Sequence, residues 1–235
     1  MIPLRDENPT RRVPFVTIVL IALNAAAFFY SLTLDPAGLE ALWDRWAFVP
    51  AHFLADFSDP AQLVTIFTAM FLHAGWLHII GNMLYLWIFG NNIEDRFGPL
   101  GFLAFYLTSG VVATLSQLAV DPSTTIPNLG ASGAVAGVLG GYLLLFPGAS
   151  VVTLIPVFIF IEIARVPAFL VIGFWFVLQL GNGLASLGPA MADMGGVAYF
   201  AHIGGFVAGL VLAAPAALRS RGKNRRSRNG SGYRR

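Results

Sequence analysis

Six stretches of the chain are apolar for roughly the length of a bilayer crossing, and polar residues gather between them. This pattern predicts spans over about Pro14 to Leu34, Gly75 to Asn92, Pro99 to Val120, Leu129 to Phe146, Val166 to Leu184 and Val197 to Leu218. The runs are unbroken rather than alternating, which excludes a membrane barrel and predicts an all-α membrane bundle of six helices. Val151 to Ile161 is also apolar, but it is short, β-branched and interrupted by Pro156, so it reads as an interfacial or loop segment. The connection from Asp35 to Gln62 is too long to be structureless and carries Trp43, Trp46, Phe48, Phe53 and Phe57. Short amphipathic helices lying in the membrane interface are expected there. The chain thus divides into a leading segment 1–13, a six-helix core 14–218 and a tail 219–235. The tail, rich in Arg, Gly, Ser and Asn, is expected to be disordered.

Composition agrees with a membrane protein. Of 235 residues, 57% are hydrophobic and 11% charged, against about 25% charged in soluble domains. The absence of cysteine excludes disulfides, thiolate catalysis and cysteine-type metal sites. With six spans, every Lys and Arg except Arg45 falls on one side: Arg5, Arg11 and Arg12, then Arg96, Arg165 and the tail. The positive-inside rule then places both termini in the cytoplasm. Asp35, Glu40, Asp44, Asp56, Asp59, Asp121 and Asp193 fall on the other side. Met1 to Arg12 mixes Asp6 and Glu7 with three arginines, unlike a signal-peptide n-region or an acid-poor transit peptide. A multi-pass protein of the cell (plasma or inner) membrane is the expectation. The basic tail reads as an orientation signal on anionic lipid rather than a nucleic-acid arm.

Candidate chemistry emerges from the polar residues inside the oily runs. Ser132 lies in Gly130-Ala131-Ser132-Gly133, near the start of the fourth span. His202 lies about one turn into the sixth, and His78 and Asn82 in the first two turns of the second. All four sit on even spans, so the orientation brings them to one depth near the outer face. A lone Gly-x-Ser-Gly or a lone membrane histidine is most often a packing feature. Four converging polar groups are far more specific, because buried ionisable residues are costly and mark functional sites. Gly133, Gly137 and Gly141 on one helix, with Gly205 and Gly209 on another, would let the serine and histidine helices close on each other. No Asp or Glu lies in either helix, and Asp193 is the nearest carboxylate, so a Ser-His dyad is favoured over a triad. His78, Asn82 and the Ser132 amide would suit an oxyanion hole. A small transporter using His73, His78 and His202 is the alternative from another class; it lacks acidic residues in the central spans and an internal repeat. The His-Glu-x-x-His of a metalloprotease is missing, and no metal or other cofactor is expected.

These residues resemble the rhomboid family of intramembrane serine proteases. Gly130-Ala131-Ser132-Gly133 is similar to the family's nucleophile motif, and Ala201-His202-Ile203-Gly204-Gly205 with Gly209 to its general-base motif. His78-Ile79-Ile80-Gly81-Asn82 resembles its His-x-x-x-Asn element, and Glu94, Arg96 and Gly98 its Glu-x-Arg-x-Gly element. The resemblance implies a Ser132 nucleophile, a His202 base, oxyanion donors from His78, Asn82 and Ser132, and structural roles for His73, Glu94 and Arg96. It also implies transmembrane segments of other proteins as substrates, in a lipid bilayer. A catalytically inactive rhomboid-like protein that binds transmembrane clients is the alternative within the family. Two departures stand out. Val64-Thr65 occupies the place of a Trp-Arg pair in the first loop, and Ala136 that of a Tyr which stacks on the histidine in some members. Something else must orient His202, with Tyr199 one turn earlier as a candidate. Phe169, Phe174, Trp175 and Phe176 make the fifth span a candidate lateral gate.

Overall fold

The computed structural model describes residues 1–157, 160–187 and 198–230. Nine helices are described: α1 (Phe15–Ser31), α2 (Pro36–Trp46), α3 (Pro50–Ala55), α4 (Pro60–Thr68), α5 (Trp76–Phe97), α6 (Pro99–Val120), α7 (Ser132–Leu145), α8 (Ala168–Ser186) and α9 (Tyr199–Gly230). A 3-10 turn, Ala69–Phe71, links α4 to α5. By length and composition, Pro99–Val120, Ala168–Ser186 and Tyr199–Arg219 suffice to cross a membrane. The stretch Pro60–Phe71 with Trp76–Phe97 makes a fourth if counted as one span bent by 82°. Helices α1 and α7, with 17 and 14 residues, are apolar but shorter.

The shortness of α7 positions its first residue. At 1.5 Å per residue α7 rises only about 21 Å, less than the roughly 30 Å of a hydrocarbon core. Gly133, its second residue, abuts Ala113 of α6. Helix α6 continues from there to Val120, about 10 Å further. Ser132 therefore lies about two helical turns short of the end of its neighbour. The long loop before it is bolted to the α2–α4 region. Phe48 and Asn128 exchange backbone hydrogen bonds of 3.1 and 2.7 Å, Ala51 donates to Thr124, and the Gly130 N–H donates to the Ala69 carbonyl at 2.8 Å. Helices α2, α3 and α4 begin between Asp35 and Gln62, two of them opened by the Asp35 and Asp59 side chains, which accept from the Gly38 and Ala61 amides.

At the opposite end the α1 N-terminus has no capping side chain of its own. Glu94 of α5 supplies it, accepting from the Val16 and Thr17 amides at 2.9 and 2.8 Å and from the Thr17 hydroxyl at 2.8 Å. Arg96 donates to the Ala216 carbonyl of α9 at 2.8 Å. Both residues thus tie one helix to another. Gly98 follows with φ +74, a left-handed turn that lets α6 start at Pro99.

Two elements depart from the sequence expectation. The fold is mainly helical but not all-α: β1 (Ile2–Asp6), β2 (Ser150–Val157) and β3 (Phe160–Pro167) form an antiparallel sheet in that order. Ile2 pairs with Leu154, and Leu154 with Ile163. The β-branched Val151, Val152, Thr153 and Ile155 favour extended backbone. Their full-length partner is the neighbouring β3, and β1 adds a third strand from about 150 positions away, which no local pattern reveals. The second departure is the tail: α9 continues through Gly230, beyond Leu218 where the sixth span was expected to end. Leu218 is the last strongly apolar residue, but no proline or turn signal follows it before Gly222.

Candidate active site

Ser132 is placed by two backbone events. Gly130 adopts φ +125, and a Cβ there would sit 2.6 Å from His78 Nε2, so only glycine fits. The chain then turns into α7 with Ser132 as its first helical residue. The first N–H groups of a helix have no carbonyl one turn earlier to bond, so they face the site as free donors at the positive end of the helix dipole.

His202 comes from the fourth residue of α9, which packs on α7 at backbone distance. A Cβ on Gly205 would strike the Gly133 carbonyl, and one on Gly209 the Gly137 carbonyl. Gly137 also lies against Ser109, and Gly204 against Ser116, both on α6. Gly141 faces Phe105 and Ile93 instead, and the α9 contact at that level is Gly140 against the Phe206 carbonyl. The ladder expected on α7 therefore divides between two neighbours. Its consequence is direct: His202 Nε2 lies 2.7 Å from Ser132 Oγ, a short hydrogen bond across 70 residues of sequence. His202 is buried, 8% exposed, so the pair sits away from bulk solvent.

The remaining polar residues converge on the same place. His78 and Asn82 lie one turn apart on α5, and the His78 ring abuts Gly130 of the serine loop. Asn82 Nδ2 lies 3.1 Å from His73 Nε2, and the His73 and His78 rings meet edge-on with centroids 4.9 Å apart. His73 and Asn82 are buried and His78 half-buried. His73 thus holds Asn82, which keeps a second N–H for other use. A cavity of about 20 Å³ borders Ser132, Gly130, Met70 and Ala201. That volume holds about one water molecule.

Gln179 was missed from sequence, and Trp175 was read only as part of a gate. His202 Nδ1 lies 2.7 Å from Gln179 Oε1 of α8, and the Trp175 ring lies 5.9 Å from the imidazole. The side chain within hydrogen-bond distance of His202 Nδ1 is thus Gln179, whereas the Tyr199 Cβ lies against Gly183. The available signal was spacing: Ala168, Ile172, Trp175, Gln179 and Gly183 line one face of α8, and Gln179 is the polar member of that stripe. Phe176 stacks on Phe206 at 4.3 Å, whereas Phe169 and Phe174 point outward, 50% and 45% exposed. Asp193 lies outside the described residues.

The helices and buried polar cluster define a multi-pass helical membrane protein. The Rhomboid domain model matches residues 60–219, more than half of the chain. The protein belongs to the rhomboid family. It is 29% identical over 196 residues to Rhomboid protein 1, mitochondrial, of Saccharomyces cerevisiae, covering 82% of this chain and 50% of the yeast protein. It is 29% identical over 143 residues to the putative rhomboid protease YdcA of Bacillus subtilis, covering 60% and 68% respectively. Rhomboid-like protein 11, chloroplastic, of Arabidopsis thaliana is 43% identical over a shorter stretch of 70 residues, 30% of this chain and 25% of that protein. The chain spans half the length of its yeast relative.

Proposed function

We propose that this protein is an intramembrane serine endopeptidase, cleaving transmembrane segments of other membrane proteins with a Ser132-His202 dyad. The observation that carries the reading is the 2.7 Å contact between Ser132 Oγ and His202 Nε2. His202 Nε2 takes the serine proton as Oγ attacks the scissile carbonyl, then gives it to the departing amine as the C–N bond breaks and the acyl-enzyme forms; water, deprotonated by the same nitrogen, releases the acid and the proton returns to Oγ. The Ser132 amide, Asn82 and His78 stabilise the oxyanion that forms. His73 supports Asn82, while Glu94 and Arg96 hold the helix ends.

The charge distribution supports six spans with both termini in the cytoplasm, in the cell membrane. Ser132 then lies about 10 Å below the outer end of α6. That depth suits a peptide bond brought in sideways from lipid, after local unwinding frees its carbonyl from helical hydrogen bonds. The exposed aromatic face of α8 is the proposed entrance.

The test is cleavage of a single-span substrate panel in proteoliposomes by the wild type and by Ser132→Ala. Cleavage by the wild type alone supports the reading. Cleavage retained by the Ser132→Ala variant would remove Ser132 as nucleophile.

A further inference from the structure

We propose that Gln179 is the positioning residue of this site, fixing the tautomer and orientation of His202 in the place a triad gives to a carboxylate. The inference rests on the dyad reading above and names a third member of its machinery.

The chemistry follows from atom types. Gln179 Oε1 is an amide carbonyl oxygen, which accepts and cannot donate. At 2.7 Å from His202 Nδ1, it requires the imidazole proton on Nδ1. The Nε2 lone pair then points at Ser132 Oγ, 2.7 Å away, and the serine hydroxyl donates into it. The opposite tautomer would set a lone pair against the Gln179 carbonyl and an N–H against the serine, leaving no base. One hydrogen bond thus selects the reactive form.

The packing of α8 supports this role. Gln179 lies one turn after Trp175, whose ring flanks the imidazole. Gly183, one turn further, packs against Tyr199 and Ile203 of α9. The ring is therefore held by an acceptor at Nδ1, a hydroxyl at Nε2 and an aromatic wall.

An amide differs from a carboxylate in a way that can be measured. A carboxylate stabilises the imidazolium that forms during attack, but it also favours imidazolium in the resting enzyme. A neutral amide orients the ring and leaves it uncharged. Of the groups facing His202 from packed elements, Ser132 of α7 and Gln179 and Trp175 of α8 are uncharged. His78 of α5 is the titratable one among the described residues.

The test uses full-length protein in proteoliposomes: wild type, Ser132→Ala, Gln179→Leu and Gln179→Glu, with kcat and KM measured across pH. Gln179→Leu is expected to lose 10- to 100-fold in kcat with KM within about twofold, since a free ring spends most of its time misaligned. Gln179→Glu is expected to recover much of that loss at high pH, with the acid limb of kcat/KM moved toward higher pH. Thermal stability of each variant separates misfolding from misalignment, and the recovery in Gln179→Glu needs a folded protein. If both variants keep the wild-type kcat and an unmoved pH profile while Ser132→Ala is dead, Gln179 is merely packed and the inference fails with the dyad intact. If the wild type does not cleave, or Ser132→Ala does, the dyad reading itself fails.

Discussion

The close approach of α7 and α9 makes Gly205→Ala the most informative packing variant. Gly205 lies one turn after His202, and a methyl group there meets the Gly133 carbonyl, which is backbone and cannot rotate away. Ordinary contact between a methyl carbon and a neighbouring heavy atom is about 3.5 Å, so the helices must part by roughly 1 Å or more. Adding that to the 2.7 Å between Ser132 Oγ and His202 Nε2 takes the pair past the limit of about 3.5 Å for a hydrogen bond. Overpacking of this kind costs about 1–3 kcal/mol, and a 1 Å misplacement of catalytic groups costs about 100-fold in rate. Gly173→Ala on α8 is the control, because nothing lies within 4 Å of the added Cβ. It should gain up to about 1 kcal/mol from helix propensity and leave the site alone. The assay is kcat/KM in proteoliposomes, with thermal denaturation in parallel. If Gly205→Ala cleaves within twofold of the wild type at unchanged stability, the backbone contact does not set the dyad distance and the reasoning is wrong.

Three further outcomes are expected. Glu94→Ala removes the acceptor for two α1 amides and the Thr17 hydroxyl; leaving buried donors unpaired costs about 1–3 kcal/mol each at most, so thermal denaturation should show a loss of a few kcal/mol. Asn82→Ala should lower kcat by about 100- to 1,000-fold with little change in KM, as loss of an oxyanion donor does; an unchanged kcat would take Asn82 out of the oxyanion site. Asp6 accepts from the Tyr142 hydroxyl at 2.7 Å, and its carboxyl is held above its ordinary range, chiefly because burial disfavours the charge. A raised acid contributes stability below its unfolded pKa and loses it as pH rises through the folded one, so Asp6→Asn should gain on the wild type as pH rises from acid to neutral; pH-dependent denaturation curves that run parallel would contradict this.

The site was legible in sequence because its members repeat one physical anomaly, a polar group in an apolar helix. Ser132, His202, His78 and Asn82 each stand out that way, His73 was marked by the family resemblance alone, and the glycines at 133, 137, 205 and 209 announced a close crossing. Gln179 did not stand out, because an amide near the middle of an apolar helix reads equally well as a packing hydrogen bond. Only the α8–α9 contact shows which ring it serves. Hydropathy marked where the long apolar helices lie but not their bounds: Val166, read as the start of the fifth span, belongs to β3, and α7 has 14 residues against the span Leu129 to Phe146 read for it. The loop to Ala131 is irregular there, since Gly130 takes a left-handed turn. The third strand of the sheet was hidden for another reason: pairing of Ile2–Asp6 with Ser150–Val157 depends on tertiary contact alone.

The most direct measurement is covalent capture. Wild-type protein in detergent is treated with a fluorophosphonate, and the modified peptide is identified by mass spectrometry. A single adduct on Ser132 is expected, lost in Ser132→Ala and slowed at least about 100-fold in His202→Ala. An adduct on another serine, or labelling of Ser132 at the same rate without His202, would contradict it.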